Sequence, residues 1–337
     1  MTTASVTLET EELRRLIAAA VARVGLHPDD AEPTVEHLFE AELRGRGGLE
    51  RLFLIAEAAE RHGVAECEPM AVVAETETTA RLDGGGHVGY AVAARATAIA
   101  AEKAEAHGMA VVAADEHRHS GVLGLYVERL AREGLVAIAS STGTLLRVAP
   151  YGAREPRLAT NPIAMAFPAD EDPIVWDTAT AALNGTGVRT LAASGGSLPE
   201  GAALDPHGRP TLDPAAVAAI LPWGGHRGSG LAIVVQMLGL LAGLPVSSDG
   251  PGDWRAAFLL VAIDPGLLLD ADDYRRAASE LRAGIHALAP VPGATQARLP
   301  GERSAAERRR RLAEGVPLTA ADWAQLRSLA GEGDERI

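Results

Sequence analysis

The chain has 337 residues, and its 45 aspartate and glutamate residues outnumber its 31 lysine and arginine residues, so the formal net charge is −14. At ~150 residues per domain, this length predicts about two domains. Hydrophobic residues make up 47% of the chain and aromatic residues only 4%, so the core must consist of alanine, leucine and valine. The negative charge argues against a nucleic-acid partner, because binding phosphates along a groove needs a basic face.

The single cysteine, Cys67, excludes an internal disulfide bond and a multi-cysteine zinc site. Two flanking glutamates disfavour its thiolate, so we interpret Cys67 as structural. Residues 1–12 lack the basic start and the apolar stretch of a signal peptide, and the most apolar run, residues 230–245, is too short to span a bilayer. We therefore expect a cytoplasmic protein with no membrane partner.

The first part of the chain has the apolar period and the capping residues of helices. Between Thr10 and Gly25, for example, apolar residues recur at the helical spacing. The predicted elements up to residue 133 are, in chain order, helices over 10–24, 28–43 and 49–61, strands over 71–74 and 79–82, a helix over 90–106, a strand over 111–114 and a helix over 122–133.

Beyond residue 134 the sequence changes to short apolar runs separated by glycine, proline, asparagine and aspartate, which predicts strands of one sheet. Residues 195–214 are rich in turn residues and predict a surface loop. Two helices near the end begin with capping patterns at Ser304 and Thr319. The remaining predicted elements are strands over 135–140, 162–167, 174–176 and 257–263, and helices over 230–241 and 272–289.

Three glycines form a Gly-x-Gly-x-x-Gly pattern between a predicted strand and a predicted helix, at Gly84, Gly86 and Gly89. With Asp115 at the end of the next strand, this is the layout of a dinucleotide-binding βαβ unit. The strand before the glycines carries two charged residues, however, which a central parallel strand does not bury. We therefore favour a glycine-rich turn over a cofactor site.

His117 and His119 lie two residues apart and could form a metal pair, but two ligands are too few, so no metal site is predicted. The segment His119-Ser120-Gly121 is better interpreted as a loop at a helix N-terminus, where backbone N–H groups can face an anion and an imidazole can reach a ligand. An exposed polar loop explains the same residues equally well.

Two loops combine glycine with arginine directly before a helix. Residues 224–230 contain Arg227 and lack the lysine-Ser/Thr end of an NTPase loop, and residues 298–304 contain two arginines. In an acidic protein the pair favours local phosphate receptors, although surface loops would explain each of them.

These segments, in this order, resemble the malate/L-lactate dehydrogenase family of NAD(P)-dependent oxidoreductases. That family includes 2-hydroxyacid dehydrogenases, ureidoglycolate dehydrogenase and reductases of cyclic ketimine carboxylates. The resemblance covers nearly the whole chain and is most specific in Thr-Asn-Pro, in the Asp-Thr-Ala-Thr that follows it, and in Arg-Leu-Pro-Gly-Glu-Arg. The matching segments are residues 43–45, 82–84, 119–121, 159–163, 177–180, 199–201, 211–214, 225–228 and 298–303.

The resemblance implies an α/β fold of the α+β type that is not a Rossmann fold. A largely antiparallel sheet domain over residues 119–287 would bind the cofactor. Helical segments from both chain ends, residues 1–118 and 288–337, would form a second domain for substrate binding and dimerisation. Members of the family are usually homodimers with the active site near a subunit and domain interface.

The same resemblance implies the site residues by position. Arg51 lies where the family's arginine binds the substrate carboxylate, for which its forked guanidinium is suited. Thr160 matches a substrate contact, Glu50 could reach the same site, and His119 is the catalytic candidate. The residues implied to bind NADPH or NADH are His119, Ser120, Gly121, Val122, Leu123, Asp177, Thr178, Ala179, Thr180, Arg227, Gly228, Arg298, Pro300, Gly301, Glu302, Arg303 and Ser304.

The chain departs from the family after Leu-Arg-Gly, where Ser-His-Gly and then the arginine usually follow. Between the Leu-Arg-Gly of residues 43–45 and Arg51, this chain is two residues shorter than the family pattern. It also lacks the Ser-His pair that donates the proton in some members. Reducing a ketone needs a positioned acid, which accelerates such a reaction by ~10²–10⁴-fold. An imine nitrogen, by contrast, can take its proton from solvent. We expect NAD(P)H-dependent reduction of a small carboxylated, cyclic imine. A 2-oxoacid/2-hydroxyacid dehydrogenase and a catalytically altered cofactor-binding homologue remain the alternatives.

Overall fold

The structure is a computed structural model and describes residues 5–64, 66–246, 255–293 and 295–332. Its helices are α1 Thr10–Val24, α2 Pro28–Leu43, α3 Gly48–His62, α4 Gly89–His107, α5 Gly124–Arg132, α6 Gly185–Ser194, α7 His226–Leu241, α8 Ala271–His286, α9 Glu302–Glu314 and α10 Ala320–Ala330. Its strands are β1 Ser5–Leu8, β2 Ala71–Glu75, β3 Thr79–Asp83, β4 Met109–His117, β5 Val136–Gly143, β6 Pro162–Phe167, β7 Ile174–Ala179, β8 Ala203–Leu204, β9 Ala219–Ile220, β10 Ala256–Ile263 and β11 Val316–Thr319.

Most of these elements follow the sequence pattern closely, but β1 and β11 were not predicted, and α7 begins four residues before its predicted start at Gly230. The predicted start of α9 at Ser304 is wrong, because Gly301 adopts a left-handed φ of 86° and the helix begins directly after it. Helix α6 was not predicted; Asn184 caps it by accepting the amide of Gly187 at 2.7 Å. The predicted loop over 195–214 contains β8, which pairs with β9.

One seven-stranded sheet, in the order β2-β3-β4-β10-β5-β6-β7, forms the centre of the molecule. Only β3 and β4 run parallel, and every other neighbouring pair is antiparallel. The structure thus confirms the α/β fold of α+β type with a largely antiparallel sheet. Strands β2 to β4 belong to this sheet although they precede the predicted domain boundary at residue 118.

Small side chains allow helices to pack closely on both faces of the sheet. Helices α4 and α5 cover one face through residues that include Val92 and Val127, against Val112 of β4 and Leu260 of β10. Helix α7 packs on the other face, where Leu238 near its C-terminal end shares a core with Val111 of β4. Alternate residues of β4 therefore face different layers, as strand geometry requires.

The two chain ends meet in a helical part that packs beside the sheet. Strand β1 pairs with β11, so that Val6 lies opposite Leu318. Helices α1, α2, α3 and α10 share one apolar core that includes Leu16, Leu38 and Leu326. The division into domains at residues 118 and 288 stays a prediction. Within the predicted domain ranges, residues 1–4, 65, 247–254, 294 and 333–337 lie outside the described residues. Among the described helices, none is long and apolar enough to cross a bilayer.

The glycine pattern before α4 is a packing feature of the β3-α4-β4 unit. The amides of Gly84 and Gly86 donate to the carbonyl oxygens of Asp115 and Glu116 at 2.9 and 2.8 Å, so they are not available to a pyrophosphate. A Cβ at Gly89 would overlap the carbonyl oxygen of Arg118. Glycine is needed because this turn lies directly against the backbone that leads to His119.

Candidate active site

His119 lies between β4 and α5, on a loop that opens to solvent. Its Nδ1 accepts the amide hydrogen of Gly121 at 2.8 Å. A neutral His119 therefore carries its proton on Nε2, where it can be donated to a ligand. The surrounding protein atoms, together with the charges of Arg51 and His117, lower the pKa of His119 to about 4. His119 is neutral near pH 7.

His37 of α2 is buried and holds this loop through hydrogen bonds. Its ring is stacked between Tyr90 and Tyr126, at centroid distances of 4.5 and 5.5 Å. His37 Nε2 accepts the amide hydrogen of Val122 at 2.9 Å, so the neutral ring holds its proton on Nδ1, 3.1 Å from the Tyr126 hydroxyl. That hydroxyl donates to the carbonyl of Ser120 at 2.8 Å. Burial lowers the pKa of His37 well below its usual value.

Sequence reasoning missed His37. The available signal was its position in α2, three residues after Thr34 and four before Ala41, on a face that the structure shows to be fully buried. A polar ring on the buried face of an amphipathic helix requires hydrogen-bond partners. The helical period predicts which face of α2 is buried, but it does not predict which groups form hydrogen bonds with His37.

The backbone amides at the start of α5 are satisfied within the chain. Gly121 N–H binds His119, Val122 N–H binds His37, and Gly124 N–H donates to Asp177 Oδ2 at 3.2 Å. These three groups are therefore not directed at an external anion, which corrects the expectation for the His-Ser-Gly loop. Of the groups considered for this loop, the imidazole of His119 is the one left to bind a ligand.

Arg51 of α3 lies close enough to His119 and His37 for its charge to lower both pKa values. Its Nη1 donates to the carbonyl of Gly47 at 2.8 Å and to that of Arg46, and so closes the short turn between α2 and α3. In the described part of the chain, Nη2 and Nε of Arg51 make no hydrogen bond. One edge of the guanidinium is therefore available to a carboxylate.

The short turn between α2 and α3, over residues 44–47, is tightly built. A Cβ at Gly48 would overlap the carbonyl oxygen of Leu38, so the first turn of α3 lies directly on the backbone of α2. The Glu42 carboxylate accepts the amide hydrogen of Leu49 at 3.0 Å. The shortened turn is thus held from both sides, by Arg51 and by α2.

Asp177 at the end of β7 faces the same turn. Its Oδ2 lies 3.1 Å from the Arg46 guanidinium and accepts the amide of Gly124. Burial raises the pKa of Asp177, against the opposing effects of Arg46, the Gly124 amide and Arg51. The carboxylate therefore links β7, the start of α5 and the turn beside Arg51.

The Thr-Asn-Pro segment places Thr160 next to the end of β7. Asn161 is buried and adopts φ 46°, a left-handed conformation that asparagine tolerates. Its side chain donates to the carbonyl of Ala232 in α7 at 2.8 Å and accepts from Thr142 at 2.5 Å. The Thr160 carbonyl accepts the amide hydrogen of Thr180 at 3.1 Å. Asn161, which the sequence analysis did not select as a site residue, positions both threonines.

Glu50 does not join His119. Its carboxylate accepts the hydroxyl of Thr190 in α6 at 3.1 Å. It lines a groove of about 830 Å³ between α1, α3, α6 and α10, and neither Arg51 nor His119 lines that groove. Glu50 and Arg51 leave α3 in directions about 100° apart, and Glu50 Oε1 is taken by Thr190, although Glu50 Oε2 and Arg51 Nη1 both lie beside Gly47.

The two arginine loops lie at the N-termini of α7 and α9. Arg227, Arg298 and Arg303 are exposed, and none of them pairs with a carboxylate within the described residues. By contrast, the later arginines of α9 are all paired, at positions 308, 309, 310 and 311. The three unpaired arginines suit a ligand with several phosphate charges.

Other predicted cofactor residues have structural partners. Glu302 accepts the amide of Leu299 at 3.0 Å and lies 2.8 Å from His286, so it closes the turn before α9. A Cβ at Gly301 would lie 2.6 Å from the carbonyl oxygen of Val175 in β7, which fixes the turn against the sheet. Ser304 points to the carbonyl of Arg44 at the end of α2, 3.5 Å away. Pro300 is exposed in the same turn.

A cleft of about 660 Å³ lies beside the start of α7, lined in part by Tyr151, Arg154, Glu200 and Trp223. The Trp223 indole donates to the carbonyl of Ala179 at 2.6 Å and so connects this cleft to the end of β7. The Thr178 hydroxyl donates to the same carbonyl at 3.0 Å. The segment 177–180 therefore lies between the His119 loop and the α7 loop.

Comparisons with known proteins agree with the resemblance noted from the motifs. The sequence profile of the family described as malate/L-lactate dehydrogenase matches residues 8–327. A Delta(1)-pyrroline-2-carboxylate/Delta(1)-piperideine-2-carboxylate reductase from Pseudomonas putida is 38% identical over 264 residues, which are 74% of this chain and 75% of the relative. A (2R)-3-sulfolactate dehydrogenase (NADP(+)) from Chromohalobacter salexigens is 35% identical over 337 residues, 96% of this chain and 98% of the relative.

The fold is shared with solved structures over almost its whole length. The crystal structure of delta1-piperideine-2-carboxylate reductase from Pseudomonas syringae pvar. tomato superimposes with a TM-score of 0.83 at 30% identity, covering 96% of this chain and 99% of the other. The motifs, the sheet order and these comparisons agree with one another. The chain therefore belongs to the malate/L-lactate dehydrogenase family and is an oxidoreductase of that family.

Proposed function

We propose that the enzyme reduces the C=N bond of a small carboxylated, cyclic imine with NADPH or NADH. The observation that carries this proposal is the pair of Arg51 and His119: the guanidinium has one edge without a hydrogen bond among the described residues, and it lies close enough to the neutral imidazole to lower the pKa of that ring. The Pseudomonas putida relative is named for reducing two substrates of this class.

The residues around the site fit a dinucleotide cofactor. Arg227, Arg298 and Arg303 offer unpaired positive charge at two helix N-termini, where phosphate groups bind well. Residues 177–180 connect the loop before α7 to the start of α5, next to the His119 loop. When bound, the nicotinamide would supply the hydride, and the protein has to bind and orient the substrate.

Arg51 would bind the substrate carboxylate through Nη2 and Nε, because both atoms have no other hydrogen bond in the described part of the chain. This contact would orient the imine carbon for hydride transfer, and the hydroxyl of Thr160 would be a second substrate contact. His119 would donate a hydrogen bond from Nε2 to an oxygen of the substrate carboxylate. An iminium already carries a proton on its nitrogen, so hydride transfer requires no proton from His119.

A 2-oxoacid/2-hydroxyacid dehydrogenase is the second candidate, and the 35% identical sulfolactate dehydrogenase favours it. This reaction makes a stronger demand on His119. With its pKa lowered to about 4, the ring rarely carries a second proton at pH 7. In the oxidative direction, the proton on Nε2 prevents that atom from accepting another. Imine reduction requires neither a second proton on His119 nor a His119 Nε2 that can accept one.

The test is a nicotinamide-fluorescence titration with NADPH and NADH, followed by cofactor oxidation with a cyclic ketimine carboxylate, pyruvate or a sulfonated 2-oxoacid. We expect binding of one cofactor and oxidation that is fastest with the imine. Faster oxidation with either 2-oxoacid would overturn the imine assignment in favour of the dehydrogenase. Binding without turnover of any substrate would support a catalytically altered homologue.

We further infer that two copies of the chain form a homodimer through α7. This helix is apolar on all sides, yet Ile233, Val234, Met237 and Leu241 are exposed on one face, between 47% and 71%. A helix that is apolar all round is normally buried all round. An apolar surface of this kind suits a second copy of the chain.

A further inference from the structure

A cluster of three metal-binding side chains lies outside the proposed active site. Asp30 is in the first turn of α2, Cys67 precedes β2, and His87 ends the glycine turn before α4. Each offers one ligand atom, and these atoms lie within 4.8 Å of one another. Asp30 and His87 are each only 1% exposed, while Cys67 is half-buried. In the described part of the chain, no other group of three such residues comes together.

The cluster is held in place by bonds from three segments. Asp30 Oδ1 lies 2.8 Å from His87 Nδ1, and Asp30 Oδ2 accepts the amide hydrogen of Val88 at 3.2 Å. The segment after Cys67 is tied to the glycine turn, because the Glu68 amide donates to the carbonyl of Gly85 at 2.8 Å. The Asp30 and His87 side chains are therefore fixed relative to one another before any ion binds, and the backbone beside Cys67 is tied to the same turn.

We propose that Asp30, Cys67 and His87 bind a Zn²⁺ ion. Thiolate, imidazole and carboxylate are its protein ligands, with Zn–N ~2.1 Å and Zn–S ~2.3 Å, so neighbouring ligand atoms lie about 3.3–3.7 Å apart. To reach that spacing, the Asp30 and His87 ligand atoms must separate from 2.8 Å by about 0.5 Å, and the Cys67 sulfur, which lies within 4.8 Å of both, must keep or close its distance to them. The ion takes the place of the proton between Asp30 and His87, and a water molecule completes the tetrahedron.

The ion would have a structural role. It would link the start of α2 and the segment before β2 to the turn in which Gly84 and Gly86 bind the backbone of Asp115 and Glu116. That backbone leads directly to His119. A metal bound here would stabilise the support of the His119 loop without touching the substrate.

Metal content and spectroscopy of the full-length protein test the proposal. Purified protein is stripped with a chelator, titrated with Zn²⁺ in equilibrium dialysis, and separately loaded with Co²⁺. We expect one Zn²⁺ per chain and a Co²⁺ complex with tetrahedral d–d bands and a sulfur-to-cobalt charge-transfer band. Because Cys67 is the only cysteine, that band can come only from its thiolate. No binding, or a Co²⁺ spectrum without the band, would overturn the proposal.

Variants locate the site. Cys67→Ser is expected to lose the charge-transfer band, and His87→Gln to weaken Zn²⁺ binding by at least about tenfold. His207→Gln, at an exposed turn, is the matched control and should bind as the parent does. Unchanged binding in the first two variants would place the metal elsewhere. Zn²⁺ should also raise the melting temperature of the parent but not of Cys67→Ser, and an equal rise in both would contradict the assignment.

Discussion

The His37 imidazole accepts the amide hydrogen of Val122 at 2.9 Å, across 85 positions of the chain. Through this bond α2 determines where the loop of His119 lies. The same ring orders Tyr126, whose hydroxyl binds the carbonyl of Ser120. His37 is therefore a positioning residue, which acts on the reaction only through His119.

Replacing His37 with glutamine should lower kcat much more than it changes KM. The cofactor loops and Arg51 remain, but the His119 loop loses its support, and a displacement of ~1 Å can cost about a hundredfold in rate. Steady-state kinetics with the imine measures this split. Tyr126→Phe keeps the stacked ring and removes only the hydroxyl, so a smaller loss in the same direction is expected. A variant that changes KM alone would contradict the positioning role.

Arg51 and Glu50 form a matched pair for testing substrate binding. Arg51→Lys removes the forked guanidinium but keeps a positive charge, and the loss of a charged hydrogen bond of ~1.5–3 kcal/mol corresponds to about a 10- to 100-fold rise in KM. Glu50→Gln should leave KM unchanged, because Glu50 binds Thr190 instead. Equal effects of the two substitutions would show that Arg51 acts only as part of the helix.

The amino-acid sequence predicts local structure well here because its signals are local. The apolar period and the turn residues are sufficient to place α1 to α5, and Gly25 ends α1 with a φ of 77°. Contacts between distant segments leave no such signal. Nothing in the period of α2 identifies Val122 as the partner of His37, and nothing in β1 indicates its pairing with β11. Glu50 was expected near the substrate because it adjoins Arg51, but helix geometry turns it toward α6.

Gly121 should not tolerate a side chain, and Gly134 provides the control. Both residues have a positive φ, of 77° and 91°, at which alanine is strained by ~1–2 kcal/mol. A Cβ at Gly134 would meet nothing within 4 Å, whereas one at Gly121 would overlap His37 Nε2. Chemical denaturation should therefore show a loss of about 1 kcal/mol for Gly134→Ala and of at least about 3 kcal/mol for Gly121→Ala. Similar losses would mean that the loop relaxes freely.

The stability of the protein should fall as the pH decreases from about 6.5 to 4, in part because of His117. This residue is buried, its Nδ1 donates to the carbonyl of Arg118 at 2.5 Å, and burial lowers its pKa to about 4. Between these pH values the unfolded chain binds a proton that the folded chain does not, so unfolding becomes easier. His117→Asn keeps a donor near Nδ1 and should flatten the decrease in unfolding free energy by up to roughly 3 kcal/mol. An unchanged pH profile would assign the effect to other groups.

The exposed face of α7 should determine the oligomeric state. Met237 is 59% exposed in the centre of this face, so a glutamate there would have to be buried as a charge between two copies. Light scattering after size-exclusion chromatography should give the mass of two chains for the parent and of one chain for Met237→Glu. Leu281→Glu introduces the same charge at an exposed leucine of α8 and should remain dimeric. A monomeric parent, or a dimeric Met237→Glu, would show that α7 does not form the interface.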